Sequence, residues 1–163
     1  MDSRERYRQV LTKYRLNPCE PGGDVCWSPE LECAPRSRIR EIQSDKLVAA
    51  VAFLWDYSPL YRRILEQAKL APADIKNIDD LHKLPILRRE QFVESHLAHP
   101  PWGDYSPISQ SMWSKDGWLL FTTGGTTAAP RPFRMTRFDR DMAAWLFARG
   151  FWAMGVRPGD VGN

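Results

Sequence analysis

The sequence is poor in the residues that build metal centres and disulfide frameworks. Its 163 residues include three cysteines and three histidines. Cys19, Cys26 and Cys33 form no Cys-x-x-Cys pair, and His82, His96 and His99 lie far downstream. A structural zinc site takes four ligands in paired spacings, so none is expected, and the cysteines read as free thiols of a reducing compartment. Long apolar runs are missing as well. None approaches the ~18 residues of a membrane-spanning helix. The charged start Met1-Asp2-Ser3-Arg4-Glu5-Arg6 leads into no apolar signal segment, so a cytoplasmic protein is expected. Concentrated positive charge is absent too: the net charge is +3, the pI about 8.9, and Lys/Arg alternate with Asp/Glu along most of the chain. That argues against nucleic acid as a partner, which would draw a basic face or stripe. No internal repeat or low-complexity tract occurs.

What is present suits a folded chain. Hydrophobic residues make up 43% of the sequence, enough for a core. A short helix is expected over residues 5–15, with Tyr7, Val10, Leu11 and Tyr14 on one side. From Asn17 to Pro35 the prolines and glycines spell an irregular arm, which Trp27 and Leu31 could pin to a core. Arg36 to Tyr57 carries Ile39, Ile42, Leu47, Ala50, Val51 and Leu54 at helical spacing. Pro59 ends that helix, because the residue before proline is pushed out of the α region. Ser58 can then cap a second helix, Pro59 to Leu70, with proline at its first position. A turn at Pro72-Ala73-Asp74-Ile75, a one-turn helix before Pro85 and a helix from Arg88 to His96 follow. Pro100-Pro101-Trp102-Gly103 opens a surface stretch. Trp118-Leu119-Leu120-Phe121 is a continuous apolar run that fits a buried strand, and Phe133, Met135 and Thr136 fit a returning one. Asp139 to Met154 reads as an amphipathic helix with Trp145 and Trp152 in the core and Gly155 as its stop. Asp139 and Asp141 favour the dipole at its start. Arg131, Arg134, Arg137 and Arg140 read as a solvated edge, and His82 as a surface residue.

Between the two strands lies the segment Thr122-Thr123-Gly124-Gly125-Thr126-Thr127-Ala128-Ala129-Pro130-Arg131. Gly124 and Gly125 let backbone N–H groups approach an anion. Thr122, Thr123, Thr126 and Thr127 offer hydroxyls for phosphate oxygens or a hydrated Mg²⁺. Arg131 offers a planar, permanently charged fork. The segment is not a Walker loop, since no lysine follows Lys115, and it lacks the spaced glycines of the dinucleotide fingerprint. Composition alone leaves an ordinary hairpin loop open.

The order of residues is more specific. Gly125-Thr126-Thr127-x-x-Pro130, with Thr136 ten residues beyond Thr126, resembles the phosphate loop of the adenylate-forming enzymes. The resemblance narrows to the phenylacetate–coenzyme A ligases and their relatives. It extends to Trp27-Ser28-Pro29-Glu30, to Ser58-Pro59-Leu60-Tyr61-Arg62, and to Asp74-Ile75 with Asp80-Leu81-His82-Lys83-Leu84-Pro85. It closes on Gly155-Val156-Arg157-Pro158-Gly159-Asp160. These ordered matches run through roughly residues 27 to 160. The resemblance implies ATP with Mg²⁺ and coenzyme A as co-substrates, and an aromatic or other carboxylic acid to be activated. It also implies that Thr122, Thr123, Gly124, Gly125, Thr126, Thr127 and Arg131 hold the ATP phosphates.

Two loop positions depart from the family pattern: Ala128 stands where glycine is usual, and Ala129 where lysine is common. The family's ribose-binding aspartate, its mobile lysine and most of its acyl pocket lie downstream of the matched region. The expected architecture is therefore an incomplete α/β fold. Residues 1–35 form a helix and irregular arm, residues 36–116 a helical region, and residues 117–163 one β-hairpin and a helix from an adenylation domain. The chain alone is expected to be catalytically inactive, either a truncated product or one half of a split enzyme. Its open hairpin edge invites the missing remainder of a ligase or self-association.

Overall fold

The computed structural model describes residues 1–15, 26–123 and 132–161. It is mainly helical and ends in a β-hairpin followed by one long helix, the architecture expected. The order is α1 (Ser3–Lys13), α2 (Pro29–Glu32), α3 (Arg36–Tyr57), α4 (Pro59–Gln67), two 3₁₀ turns (Pro72–Asp74 and Ile78–Lys83), α5 (Arg89–Ala98), α6 (Gln110–Asp116), β1 (Gly117–Thr122), β2 (Pro132–Thr136) and α7 (Arg137–Ala153). No helix among the described residues is long and apolar enough to cross a membrane.

The helical layer is organised by the break between α3 and α4. Ser58 is extended, and its Oγ accepts from the Tyr61 N–H at 3.5 Å while donating to the Tyr105 carbonyl at 2.8 Å. One serine thus caps a helix and anchors a distant loop. Helix α4 then serves two cores. Leu65 packs with Val51 and Ile75, backed by Leu47, Trp55, Leu70 and Leu84. Leu60 and Ile64 pack with Tyr105, backed by Leu87 and Phe92. Helix α1 lies along α3, where the buried Tyr14 gives its hydroxyl to the Asp45 carboxylate.

Two helices lie where none was expected. Helix α2 falls in the arm read as irregular, and α6 in the stretch after Trp102; Ser109 caps α6 by accepting from the Met112 N–H at 3.2 Å. The buried-strand expectation for β1 is corrected. Trp118, Leu119, Leu120 and Phe121 are between 41% and 48% exposed. The reason is the sheet itself: β1 pairs with β2 alone among the described residues, so neither face of the strand is fully covered. The amphipathic expectation for α7 holds for Trp152, which is buried; Trp145, also expected in the core, is half-buried, and Leu146, Phe147 and Phe151 face outward. The sulfurs of Cys26 and Cys33 lie 3.6 Å apart.

The second 3₁₀ turn carries a carboxylate with a strongly shifted titration. Asp80 pairs with Lys83 at 2.7 Å and accepts from the N–H groups of Lys76 and Asn77 at 2.8 and 3.3 Å. The Lys83 bond above all, and then those backbone donors, pull its pKa from 3.8 down to about 2. A depressed carboxylate stabilises the fold above its unfolded pKa and loses that contribution as pH falls through the folded value. The difference in melting temperature between the native chain and Asp80→Asn is therefore expected to be flat at neutral pH. It should shrink only between pH 3.8 and about 2. A gap that already closes near neutrality in a calorimetric pH series would contradict this assignment.

Candidate functional site

The candidate site is the mouth of the hairpin. The strands run antiparallel, with Leu119 opposite Met135, Phe121 opposite Phe133 and Thr122 opposite Pro132. Thr122 and Pro132 are thus the last paired residues on either side of the segment 123–131 in the sequence. Thr122 is exposed there, and Thr123 beside it is half-buried. The other expected phosphate-loop residues, Gly124, Gly125, Thr126, Thr127 and Arg131, lie outside the described residues, as do Ala128, Ala129 and Pro130.

Both strands of the mouth are held from below. The Tyr105 hydroxyl donates to the Pro132 carbonyl at 3.2 Å, and Phe121 and Phe133 stack with ring centroids 5.5 Å apart. Arg134, expected on a solvated edge with Arg137 and Arg140, is corrected to a half-buried clamp. Its guanidinium donates to the Ile108 carbonyl, reaches Gln110 Oε1 at 3.4 Å and lies 4.6 Å over the Trp102 ring. Burial pushes its pKa down from the ordinary arginine value. The alternation of Phe133, Arg134 and Met135 carries no sign of this, because the receiving carbonyl and rings come from a separate segment. Arg137 and Arg140 are exposed as expected, and Arg140 pairs with Asp141 at 2.7 Å.

A cavity of about 460 Å³ is lined by Arg4, Tyr7, Phe53, Tyr61, Phe92 and, from β2, Phe133. Burial raises the pKa of both Tyr7 and Tyr61. From β2 the chain enters α7 through a capping box. The Asp139 carboxylate accepts from Thr136 N–H at 2.8 Å and Thr136 Oγ1 at 2.7 Å, and Thr136 Oγ1 accepts from Asp139 N–H at 3.3 Å. Asp139 is thus spent on the helix start, in line with its reading as a structural acid. Among the described residues no group of three or more His, Cys, Asp or Glu side chains could hold a metal ion.

The far end of α7 joins two distant sequence motifs. Trp27 packs edge-on against Trp152 at 5.7 Å, and Glu32 pairs with Arg149 at 2.7 Å. Arg157 lies 3.9 Å over the other side of Trp152 and donates to its carbonyl at 2.9 Å. Asp160 closes the turn by accepting from the Arg157 N–H at 2.7 Å, and Gly155 and Gly159 take φ of +88° and +99°. The Trp-Ser-Pro-Glu segment and the Pro-Gly-Asp turn are therefore parts of one packed corner.

The chain is similar to known proteins. The phenylacetate–coenzyme A ligase of Thermus thermophilus is 29% identical over 135 residues, which cover 83% of this chain and 28% of the relative. The ligase of the same name from Escherichia coli is 24% identical over 131 residues, 80% of this chain and 28% of that one. A crystal structure of 2-hydroxyisobutyryl-CoA ligase with 2-HIB-AMP and CoA, in the thioesterification state, superposes with a TM-score of 0.78. It is 32% identical, over 88% of this chain and 30% of that one. The chain matches an N-terminal portion of the phenylacetate–coenzyme A ligases. An open conformation of the same 2-hydroxyisobutyryl-CoA ligase gives a TM-score of 0.77 at 30% identity, over 88% of this chain and 32% of that one. No protein-family model matches the chain. The chain spans just under a third of the length of these ligase relatives.

Proposed function

We propose that this chain is the phosphate-loop portion of an ATP-dependent acyl- or aryl-coenzyme A ligase. The observation that carries the proposal is the superposition. The chain superposes on an acid–coenzyme A ligase with a TM-score of 0.78, and its Gly/Thr segment lies in sequence between the paired strands β1 and β2. In the reaction of such ligases a carboxylate attacks the α-phosphorus of ATP, pyrophosphate leaves, and the thiol of coenzyme A displaces AMP from the acyl-adenylate. Within it, Thr122, Thr123, Gly124, Gly125, Thr126, Thr127 and Arg131 would hold the β- and γ-phosphates with their Mg²⁺. Fixed donors of this kind are a main source of rate in phosphoryl chemistry. The acid, aromatic or otherwise, would be bound mostly by residues beyond this portion, and a cytoplasmic setting suits the supply of ATP.

Ala128 is the testable weakness of the loop. If the family's glycine conformation is needed there, a β-carbon costs about 1–2 kcal/mol. Ala128→Gly is then expected to tighten ATP·Mg²⁺ binding by roughly 5- to 30-fold in isothermal calorimetry, at about 1.4 kcal/mol per decade. An unchanged titration would remove alanine as the cause of weak binding, and no ATP binding by either form would remove the phosphate-loop assignment.

A second reading is that this portion is catalytically silent without the rest of a ligase: it covers 28% of the Thermus thermophilus relative. The family's ribose aspartate and mobile lysine lie outside the matched portion. Pyrophosphate release by this chain with ATP and a carboxylic acid, above the rate without enzyme, would refute that reading.

A further inference from the structure

The cavity of about 460 Å³ combines aromatic walls with an excess of positive charge. Among the described residues, its charged lining is Arg4, Arg8 and Arg134 against Asp139. Asp139 is engaged at the start of α7, where its carboxylate takes the N–H and the hydroxyl of Thr136. The arginines are less fully used. Arg4 donates to the Pro107 carbonyl at 3.0 Å and lies 3.8 Å over the Tyr57 ring, and Arg134 is clamped to the Ile108 carbonyl. Each nonetheless keeps a buried Nε–H with no acceptor among the described residues. Buried donors of that kind are rare and call for a partner. Arg8 lies 5.0 Å over the Phe138 ring, and its ion pair with Asp116, at 3.6 Å, is too long for a hydrogen bond. Tyr7 and Tyr61 add phenol groups, which burial holds in the protonated, donating form. The rings themselves are fixed by one another: Tyr7 stacks on Phe53 at 4.9 Å, and Tyr61 meets Phe92 edge-on at 6.5 Å.

We propose that this cavity binds a small aromatic anion of one or two rings, its acidic group on the arginines and its rings among Tyr7, Phe53 and Phe133. The ligand class follows from the two halves of the lining. Inorganic phosphate would leave the aromatic walls in water, and an uncharged arene would leave the arginine donors unpaired. A planar ring bearing an acidic group answers both, since fixed aromatic rings favour stacked or edge-on guests and a guanidinium fork favours an oxyanion. The volume falls within the ~300–1,000 Å³ of small-molecule sites, which pair apolar walls with a few convergent polar groups. The lining takes no residue from the segment 122–131, so this site stands apart from the phosphate-loop reading. Helix α1 supplies Arg4, Tyr7 and Arg8, and it precedes Trp27, where the ordered ligase motifs begin. The site is therefore a property of this chain's own N-terminal helix packed on its helical layer and β2.

The test is calorimetric titration of the chain with 2-naphthoate, with its uncharged amide, 2-naphthamide, as the matched control. One-to-one binding of the acid is expected, with the amide about ten-fold weaker. Arg8→Ala should weaken the acid about ten-fold and abolish its advantage over the amide, and Tyr7→Phe, which keeps the ring, should weaken it about three-fold. Thermal melting reports whether each variant keeps the native fold. Nuclear Overhauser contacts from bound naphthoate to the Phe53 and Phe133 rings locate the ligand without any variant. Saturating ATP·Mg²⁺ should leave the naphthoate affinity unchanged, and ATP binding is read in its own titration, so this site and the phosphate loop can fail separately. No naphthoate binding at millimolar concentration would overturn the proposal. Equal affinity for acid and amide would overturn its anionic half. Displacement of naphthoate by ATP, or Overhauser contacts only to residues outside the cavity, would overturn its place in the fold.

Discussion

Tyr105→Ala is expected to lower the unfolding free energy by about 3–5 kcal/mol, the usual cost of truncating a buried aromatic side chain. Tyr105 is 7% exposed and forms one core cluster with Leu60 and Ile64 of α4. Its ring meets Phe92 edge-on at 5.5 Å and lies 6.4 Å from Phe133. Its hydroxyl holds the Pro132 carbonyl, and its own carbonyl takes the Ser58 hydroxyl. Tyr105 therefore joins the helical layer to the strand that returns from the candidate loop. Alanine would open a cavity and strip the Pro132 carbonyl of that donor together. Tyr105→Phe separates the two effects, because it keeps the ring and removes only the hydrogen bond, for about 0.5–1.5 kcal/mol. Urea unfolding measures both. If Tyr105→Ala costs no more than Tyr105→Phe, the ring is not the link between the layers.

Much of this arrangement was legible in the sequence, for reasons that differ by element. Helix α3 runs from Arg36 to Tyr57 as the periodicity places it, because Pro35 and the Ser58-Pro59 step bound it chemically on both sides. Helix α7 begins at Arg137, two residues before the expected Asp139, because the Thr136–Asp139 box caps it at the end of β2. Helix α6 escaped notice because its seven residues, with only Met112 and Trp113 as large apolar side chains, are too few to show a period. The strand β1 was legible as a strand but not in its burial, since burial depends on neighbours that the local pattern presupposes and this sheet lacks. At the site, residue order pointed to a phosphate loop, of which Thr122 and Thr123 are the residues the structure describes. The Arg134 clamp and the Trp27–Trp152–Arg157 stack depend on segments far apart in the chain, which no local pattern encodes.

Ile75→Ala is expected to cost about 2–5 kcal/mol, from the other side of the same helix layer. Ile75 is 2% exposed, at the end of the first 3₁₀ turn, and packs with Val51 and Leu65. It belongs to a different cluster from Tyr105, yet both clusters draw on α4: Leu65 serves the first, Leu60 and Ile64 the second. A helix that lends one face to each cluster cannot lose one partner and keep the other unchanged. In a Trp55→Phe background, which removes the tryptophan packed against Ile75's own cluster, Ile75→Ala should therefore lower the midpoint seen by tryptophan fluorescence, to which Trp118 of the hairpin and Trp152 of α7 contribute, as much as the midpoint seen by far-ultraviolet circular dichroism. Coincident transitions are the signature of a single cooperative unit. If Ile75→Ala moved the helical signal and left the tryptophan signal in place, the hairpin and α7 would be a separate folding unit. The bond from Tyr105 to Pro132 would then be a contact between two units rather than part of one core.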